Sequence, residues 1–527
     1  MTENDTANTR PQNPFRWTVM VYLAGDNNLA EESIYALTEM QKVGTSEGKI
    51  AIVAQLDSGQ HDNTQLLIEK NTQFGKLVGD LNRSRRDKRK RMLQQQQRGV
   101  EKRKDTSYLG ILEEFVTSSI DKWPADHYML VLSGHGHGTL KAFLDRRVGD
   151  NDEGLSLINL GKLLKNVEKK IQTTKGGNDR DKGDYRLDIL GMDCCLMSMT
   201  EVSYELRDFV KVMVSAEGFE PMAGWPYESI LREVEDSANQ EQPDVKDLGK
   251  RMVSRYIDFY TNYQAANVSV DQSACDLGQS GTLAKTVNVL SNKLRKYLPE
   301  VRKNEKGVDE IVGDTAVRDA ILLAHWEAQS YKNEQYTDLY DFCSLLKDRT
   351  KEIGDIQKAC QSVMNVIRGS AREELRADAD PEYRDRPGFV LKSCYSGWVV
   401  QHSHGVSIYF PWSKTPADLE IYAGLTFAKH TEWDKFLRSY LEVTKRAPRP
   451  GVGEPQSSED LPSFGDHFAA DIGHRDGSYS KDGSYSKGMT NDVGTMKNPP
   501  TDYFQCAYED DDKERLAVVE ASSTSKS

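Results

Sequence analysis

The stretch LDILGMDCCLMSMT, residues 187–200, decides the fold. A largely apolar run, 187–192, stops at Asp193 and two adjacent thiols, Cys194 and Cys195, and a helix-compatible stretch, 196–209, follows. This is a strand delivering a reactive side chain to its C-terminal tip. In an open α/β sheet, the crevice beyond the carboxyl ends of the strands is where ligands bind. A second strand ends in the same way upstream: residues 128–132 (YMLVL) run into Ser133, Gly134, His135 and Gly136. A thiol and an imidazole at neighbouring strand tips make a Cys/His nucleophilic pair.

Working outward, residues 17–23 (WTVMVYL), 50–56 (IAIVAQL) and 210–214 (VKVMV) are further apolar runs, each closed by polar or turn residues. Helical patterns lie between them, at 29–42, 108–120 and 156–171. Continuous apolar strands alternating with helices indicate a mostly parallel sheet covered on both faces, a doubly wound α/β core over residues 17–228. Residues 64–69 are expected to form a short edge strand. From 229 to 445 helices dominate, at 229–235, 245–263, 282–297, 316–329 and 336–346, with β-like runs at 267–271 and 406–410. That half is expected to be an appended, mainly helical C-terminal subdomain whose strands extend or cover the sheet. Residues 1–16 and 446–527 are polar and low in complexity, the latter with a tandem DGSYSK, and are expected to be disordered.

The net charge of −13 argues against general nucleic-acid affinity, so any basic patch must be local. One such patch is the insertion 82–104 (NRSRRDKRKRMLQQQQRGVEKRK). Its bland reading is a solvated loop or helix. Nucleic-acid binding is the obvious functional reading, but no aromatic residues interleave the basic ones to stack on bases. The cysteines (Cys194, Cys195, Cys275, Cys343, Cys360, Cys394, Cys506) have no CxxC or zinc spacing and are odd in number, which suggests neither a disulfide framework nor a zinc site. A reducing compartment fits that usage. The N-terminus lacks the basic and apolar regions of a secretory signal, and no apolar run is long enough to span a bilayer. The expectation is therefore a cytoplasmic protein with no membrane partner.

The chemistry follows from the Cys/His pair. A buried thiol needs a base to take its proton. His135 can be that base and later protonate a leaving amine. The N–H groups of Gly136 and Cys195 can bind the oxyanion of an acyl-transfer intermediate. Taken singly, Cys195 reads as a small buried hydrophobe and His135 as a satisfied loop histidine. Their joint occurrence at strand tips set in small residues favours catalysis.

With those residues in hand, WTVMVYLAGDNNL, LVLSGHG, LDILGMDCCLM, SAEGFEPMAGWPY and GVSIYFP resemble, in order, the blocks of the clostripain family of cysteine peptidases, over residues 17–445. The resemblance implies the caspase-like fold and hydrolysis of peptide bonds through a thioacyl-enzyme. It places the catalytic histidine at His135 rather than His137, which also precedes a glycine, and the nucleophile at Cys195 rather than Cys194. Family members prefer Arg or Lys before the cleaved bond, through acids at the base of the S1 pocket. Asp193 matches the first acid; its alternative is to cap the following helix. Ala223 stands where many relatives carry a polar or acidic residue, with Glu217 or Glu220 as compensating candidates.

Several relatives are zymogens cut in loops, which makes the insertion 82–104 and the loop 173–186 candidate activation sites for this enzyme or another protease. Some members need calcium, and the acidic loop 147–153 (RVGDNDE) could bind it without EF-hand spacing; no cofactor is otherwise implied. The expected partners are protein or peptide substrates with Arg or Lys at the cleaved bond, in an intracellular bacterial signalling or defence cascade. The competing class is an inactive caspase-like scaffold, against which the intact His135/Cys195 pair argues.

Overall fold

The structure, a computed structural model, describes residues 15–25, 29–57, 65–74, 108–139, 143–148, 151–177, 183–262, 268–331, 335–369, 387–413, 416–444 and 504–506. The insertion 82–104 and almost all of the tail lie outside the described residues, as does the middle of the loop 173–186.

The strands, in chain order, begin with β1 (Phe15–Ala24), β2 (Ile50–Asp57), β3 (Gln65–Leu67) and β4 (Ala125–Ser133). A hairpin, β5 (Phe143–Val148) and β6 (Asn151–Leu155), precedes β7 (Leu187–Asp193), β8 (Val210–Ser215) and β9 (Val270–Asp276). After these come the ribbon β10 (Glu300–Lys303) and β11 (Asp309–Val312), the short β12 (Ser330–Tyr331) and β13 (Tyr336–Asp338), and finally β14 (Val390–Ser396), β15 (Ser407–Tyr409) and β16 (Phe504–Cys506).

Nine of them form the central sheet, ordered β16-β14-β9-β8-β7-β4-β1-β2-β3. The five strands from β8 to β2 are parallel. The edge additions β3, β9, β14 and β16 are antiparallel. The five core strands read from the sequence and the short edge strand are all present. A parallel sheet must be covered on both faces, and alternate residues show it: Val19, Val21 and Leu23 of β1 enter one buried cluster, Met20 and Tyr22 the other.

Three helices cover the first face: α1 (Ala30–Val43), then Tyr227–Ala238 and Val245–Thr261. On the second face lie Tyr108–Lys122, Leu157–Thr174 and the C-terminal helices, including Ser280–Tyr297, Gly354–Arg368 and Trp433–Thr444. The C-terminal half therefore shares one continuous core with the strands that carry Cys195 and His135, and it supplies β9 and β14 to their sheet. No helix of the described residues is long and apolar enough to cross a membrane.

Three local readings change. Residues 336–338 form a strand that pairs with β15 in a small separate sheet, and the helix there begins only at Leu339. Asp338 ends that strand and caps the helix, accepting from the Asp341 N–H at 2.7 Å. The helix after β7 starts only at Thr200, because Leu196 takes a left-handed backbone (φ 66°) that breaks the run. Finally, Cys394 is disulfide-bonded, standing opposite Cys506 in the β14/β16 register, so cysteine usage no longer argues for a reducing compartment.

Candidate active site

Strand register sets the site. β4 and β7 are parallel neighbours with Ser133 opposite Asp193, so His135 and Cys195 each lie two residues past the same rung. The Gly134 N–H donates to the Asp193 carbonyl at 3.1 Å, which carries the pairing one step beyond the strands. His135 then anchors its own carbonyl on the Leu144 N–H at 2.8 Å. Past Cys195 the chain turns sharply at Leu196, whose N–H donates to the Gly218 carbonyl at 2.9 Å. A non-glycine residue in the left-handed region costs roughly 1–2 kcal/mol. Here the turn follows directly on Cys195, which lines the crevice.

His135, Cys195, Asp193 and Glu220 line one cleft. Gly136 stands against Cys195 so closely that a Cβ there would overlap the Cys195 carbonyl and lie 2.8 Å from its nitrogen. Only glycine lets these two backbones meet. Both cysteines contribute to the cleft lining, but Cys194 is 1% exposed and packs in the core, while Cys195 keeps part of its surface open. Burial pushes the Cys195 thiol up to about 12, with the Glu220 N–H working in the opposite direction. Since Cys195 retains some solvent access, that burial is less complete than for Cys194. Either way, the resting thiol carries its proton. His137 is absent from the cleft lining; its carbonyl accepts from the Tyr336 hydroxyl at 2.7 Å.

Asp193 is 5% exposed. Its Oδ1 accepts from the Trp225 N–H at 3.1 Å and its Oδ2 from the Tyr227 hydroxyl at 2.7 Å. The helix-cap alternative is not realised, because the helix begins after Met199 with no side-chain cap. Glu220 Oε1 accepts from Trp225 Nε1 at 3.3 Å and Gln272 Nε2 at 3.2 Å. Burial, and then the Asp193 charge, push the Glu220 carboxyl well above its ordinary range. Burial also raises Asp193, against which hydrogen bonds from Glu220 and Tyr227 act. Two carboxylates in a dry site cannot both ionise, and Glu220, which the Asp193 charge pushes up, is the one favoured to hold the proton. Gly224, with φ 66°, is required here as well, because a Cβ would sit 3.0 Å from Asp193 Oδ1. Ala223 lines the cleft beside it.

Glu217 is not brought to this cleft. It is fully buried, and its Oε2 accepts from the Gly405 N–H at 2.6 Å, with Asp338 and Asp271 nearby. Its carboxyl holds the β14–β15 connection instead, so its expected place in the S1 pocket is withdrawn. Sequence reading missed Tyr227, Gln272 and Glu32. Tyr227 lies at the end of the SAEGFEPMAGWPY block, but its partner Asp193 is 34 positions away. Glu32 lies on α1 directly after the tip of β1, where the crevice rule could have pointed. Among the described residues no group of His, Cys, Asp or Glu is arranged to hold a metal ion.

Comparison with known proteins adds a family. The model of the clostripain family matches residues 21–440. A search of curated proteins returns no match. Among solved structures, a secreted C11 cysteine protease from Bacteroides thetaiotaomicron, in complex with an irreversible peptide inhibitor, is 15% identical with a TM-score of 0.46, over 79% of this chain and 99% of that one. An inactive zymogen C11 protease from Parabacteroides distasonis is 16% identical with a TM-score of 0.43, over 80% and 99%.

Proposed function

The chain belongs to the clostripain family of cysteine peptidases, and from that premise we propose that it is an endopeptidase cutting after Arg, and more weakly after Lys, through a Cys195/His135 dyad. The observation that carries this reading is the shared cleft, in which Cys195 and His135 meet an acidic pocket floored by Asp193. His135 takes the Cys195 proton as the sulfur attacks the scissile carbonyl. The N–H groups of Gly136 and Cys195 stabilise the resulting oxyanion. Collapse breaks the C–N bond, and His135 returns the proton to the leaving amine. Water, deprotonated by His135, then hydrolyses the thioester, and the proton goes back to the thiolate.

The buried Asp193 carboxylate supports the Arg preference, since a guanidinium offers forked, charge-assisted donors to such a group. Activation by a cut in a basic loop, the insertion 82–104 ahead of the loop 173–186, belongs to the same proposal. Mass spectrometry of the wild type beside Cys195→Ala should show wild-type-only fragments ending in Arg or Lys if the enzyme cuts itself. The direct test is a fluorogenic peptide set varied at the residue before the bond. Cleavage after Arg that is lost in Cys195→Ala supports the reading, whereas cleavage after Asp or apolar residues contradicts it.

A further inference from the structure

We propose that Glu32 is a specificity-determining residue: it supplies the open carboxylate that, with Asp193, clasps the basic side chain before the cleaved bond. This rests on the Arg/Lys reading above and goes beyond it by naming the residue that stands in for the acid missing at Ala223. Among the described residues, the carboxylates that line the cleft are Asp193, Glu220 and Glu32, and no Lys or Arg lines it. The first two are committed internally. Asp193 receives the Trp225 N–H and the Tyr227 hydroxyl, and Glu220 receives Trp225 and Gln272 while facing Asp193. Glu220 Oε2 and Glu32 Oε2 are both buried without a hydrogen-bond partner, but Glu220 is already held through its Oε1, whereas no such anchor holds Glu32 among the described residues.

A buried carboxylate oxygen without a donor is costly, and a basic side chain entering the cleft would supply the missing donor. Placement favours a forked cation. Asp193 ends β7, whereas Glu32 sits on the helix after β1, and β4 with His135 lies between those strands. The cleft thus offers acceptors from two walls on either side of the base. A guanidinium, planar with five donors, can bridge two such walls; an ammonium, a compact point charge, is served well by one. Glu32 accordingly sets the preference for Arg over Lys.

The test measures kcat and KM of the full-length enzyme on matched peptides with Arg, Lys or Gln before the bond, for wild type, Glu32→Gln and Glu32→Asp. The expected result for Glu32→Gln is a roughly 10- to 100-fold loss in kcat/KM on Arg peptides, mostly through KM. A smaller loss on Lys should bring the Arg:Lys ratio toward one, with unchanged melting temperature and partial recovery in Glu32→Asp. A wild type that cleaves after neither Arg nor Lys overturns the basic-residue reading itself. A wild type that cleaves after Arg, with unchanged KM and Arg:Lys ratio in Glu32→Gln, overturns the role of Glu32 alone. A fall in kcat with both of those unchanged also overturns it, by making Glu32 a support of the dyad.

Discussion

The Glu220 N–H donates to the Cys195 sulfur across 3.2 Å. One residue therefore touches both halves of the site, its backbone holding the nucleophile and its side chain facing the Asp193 carboxyl.

The first consequence concerns the resting thiol. Burial raises its pKa to about 12, so the neutral form dominates at neutral pH; in the proposed mechanism the proton leaves only when His135 takes it during attack. Alkylation by iodoacetamide without substrate should therefore rise about tenfold per pH unit from pH 6 to 9, without a plateau. A plateau below pH 7 would show a preformed thiolate instead.

Gly136 gives the second. A Cβ at this position has no room against the Cys195 backbone, so Gly136→Ala must push apart the two backbone donors assigned to the oxyanion. Activity should fall about 10²- to 10³-fold, with the circular dichroism spectrum retained. Activity within a few-fold of wild type would remove Gly136 from that role.

A third prediction concerns stability. Glu201 is 1% exposed and accepts from the Tyr409 N–H at 3.0 Å and the Tyr422 hydroxyl at 2.8 Å. Burial pushes its carboxyl up to about 8. Between the ordinary carboxyl range and pH 8 the folded chain holds a proton that the unfolded chain has released. The associated stability is fully present below about pH 4.5 and is lost as pH rises through 8, at most on the order of 1 kcal/mol per unit. Glu201→Gln cannot titrate, so its melting temperature relative to wild type should climb from pH 5 to pH 8. A constant difference would contradict the assignment.

The parallel core, and the meeting of His135 and Cys195 in one cleft, were legible because both are local signals. Residues 187–192 are a buried strand by composition, and a thiol at its end marks a strand tip. What stayed hidden depends on distant neighbours. The strand Val390–Ser396 (VLKSCYS) mixes Lys and Ser with apolar residues, since it lies toward the sheet edge, and so it lacks the continuous apolar run that revealed β7. Glu217 lies near the nucleophile in sequence, yet its carboxyl turns to Gly405, 188 positions on. Glu32 looks like any acid on an amphipathic helix until the sheet order brings α1 beside the cleft.

The most direct test of the central claim is labelling with a peptidyl chloromethyl ketone ending in Arg, followed by intact and tandem mass spectrometry. The account predicts one adduct, on Cys195, blocked by an Arg substrate and absent from Cys195→Ala. An adduct on Cys194, or peptidase activity surviving in Cys195→Ala, would contradict it.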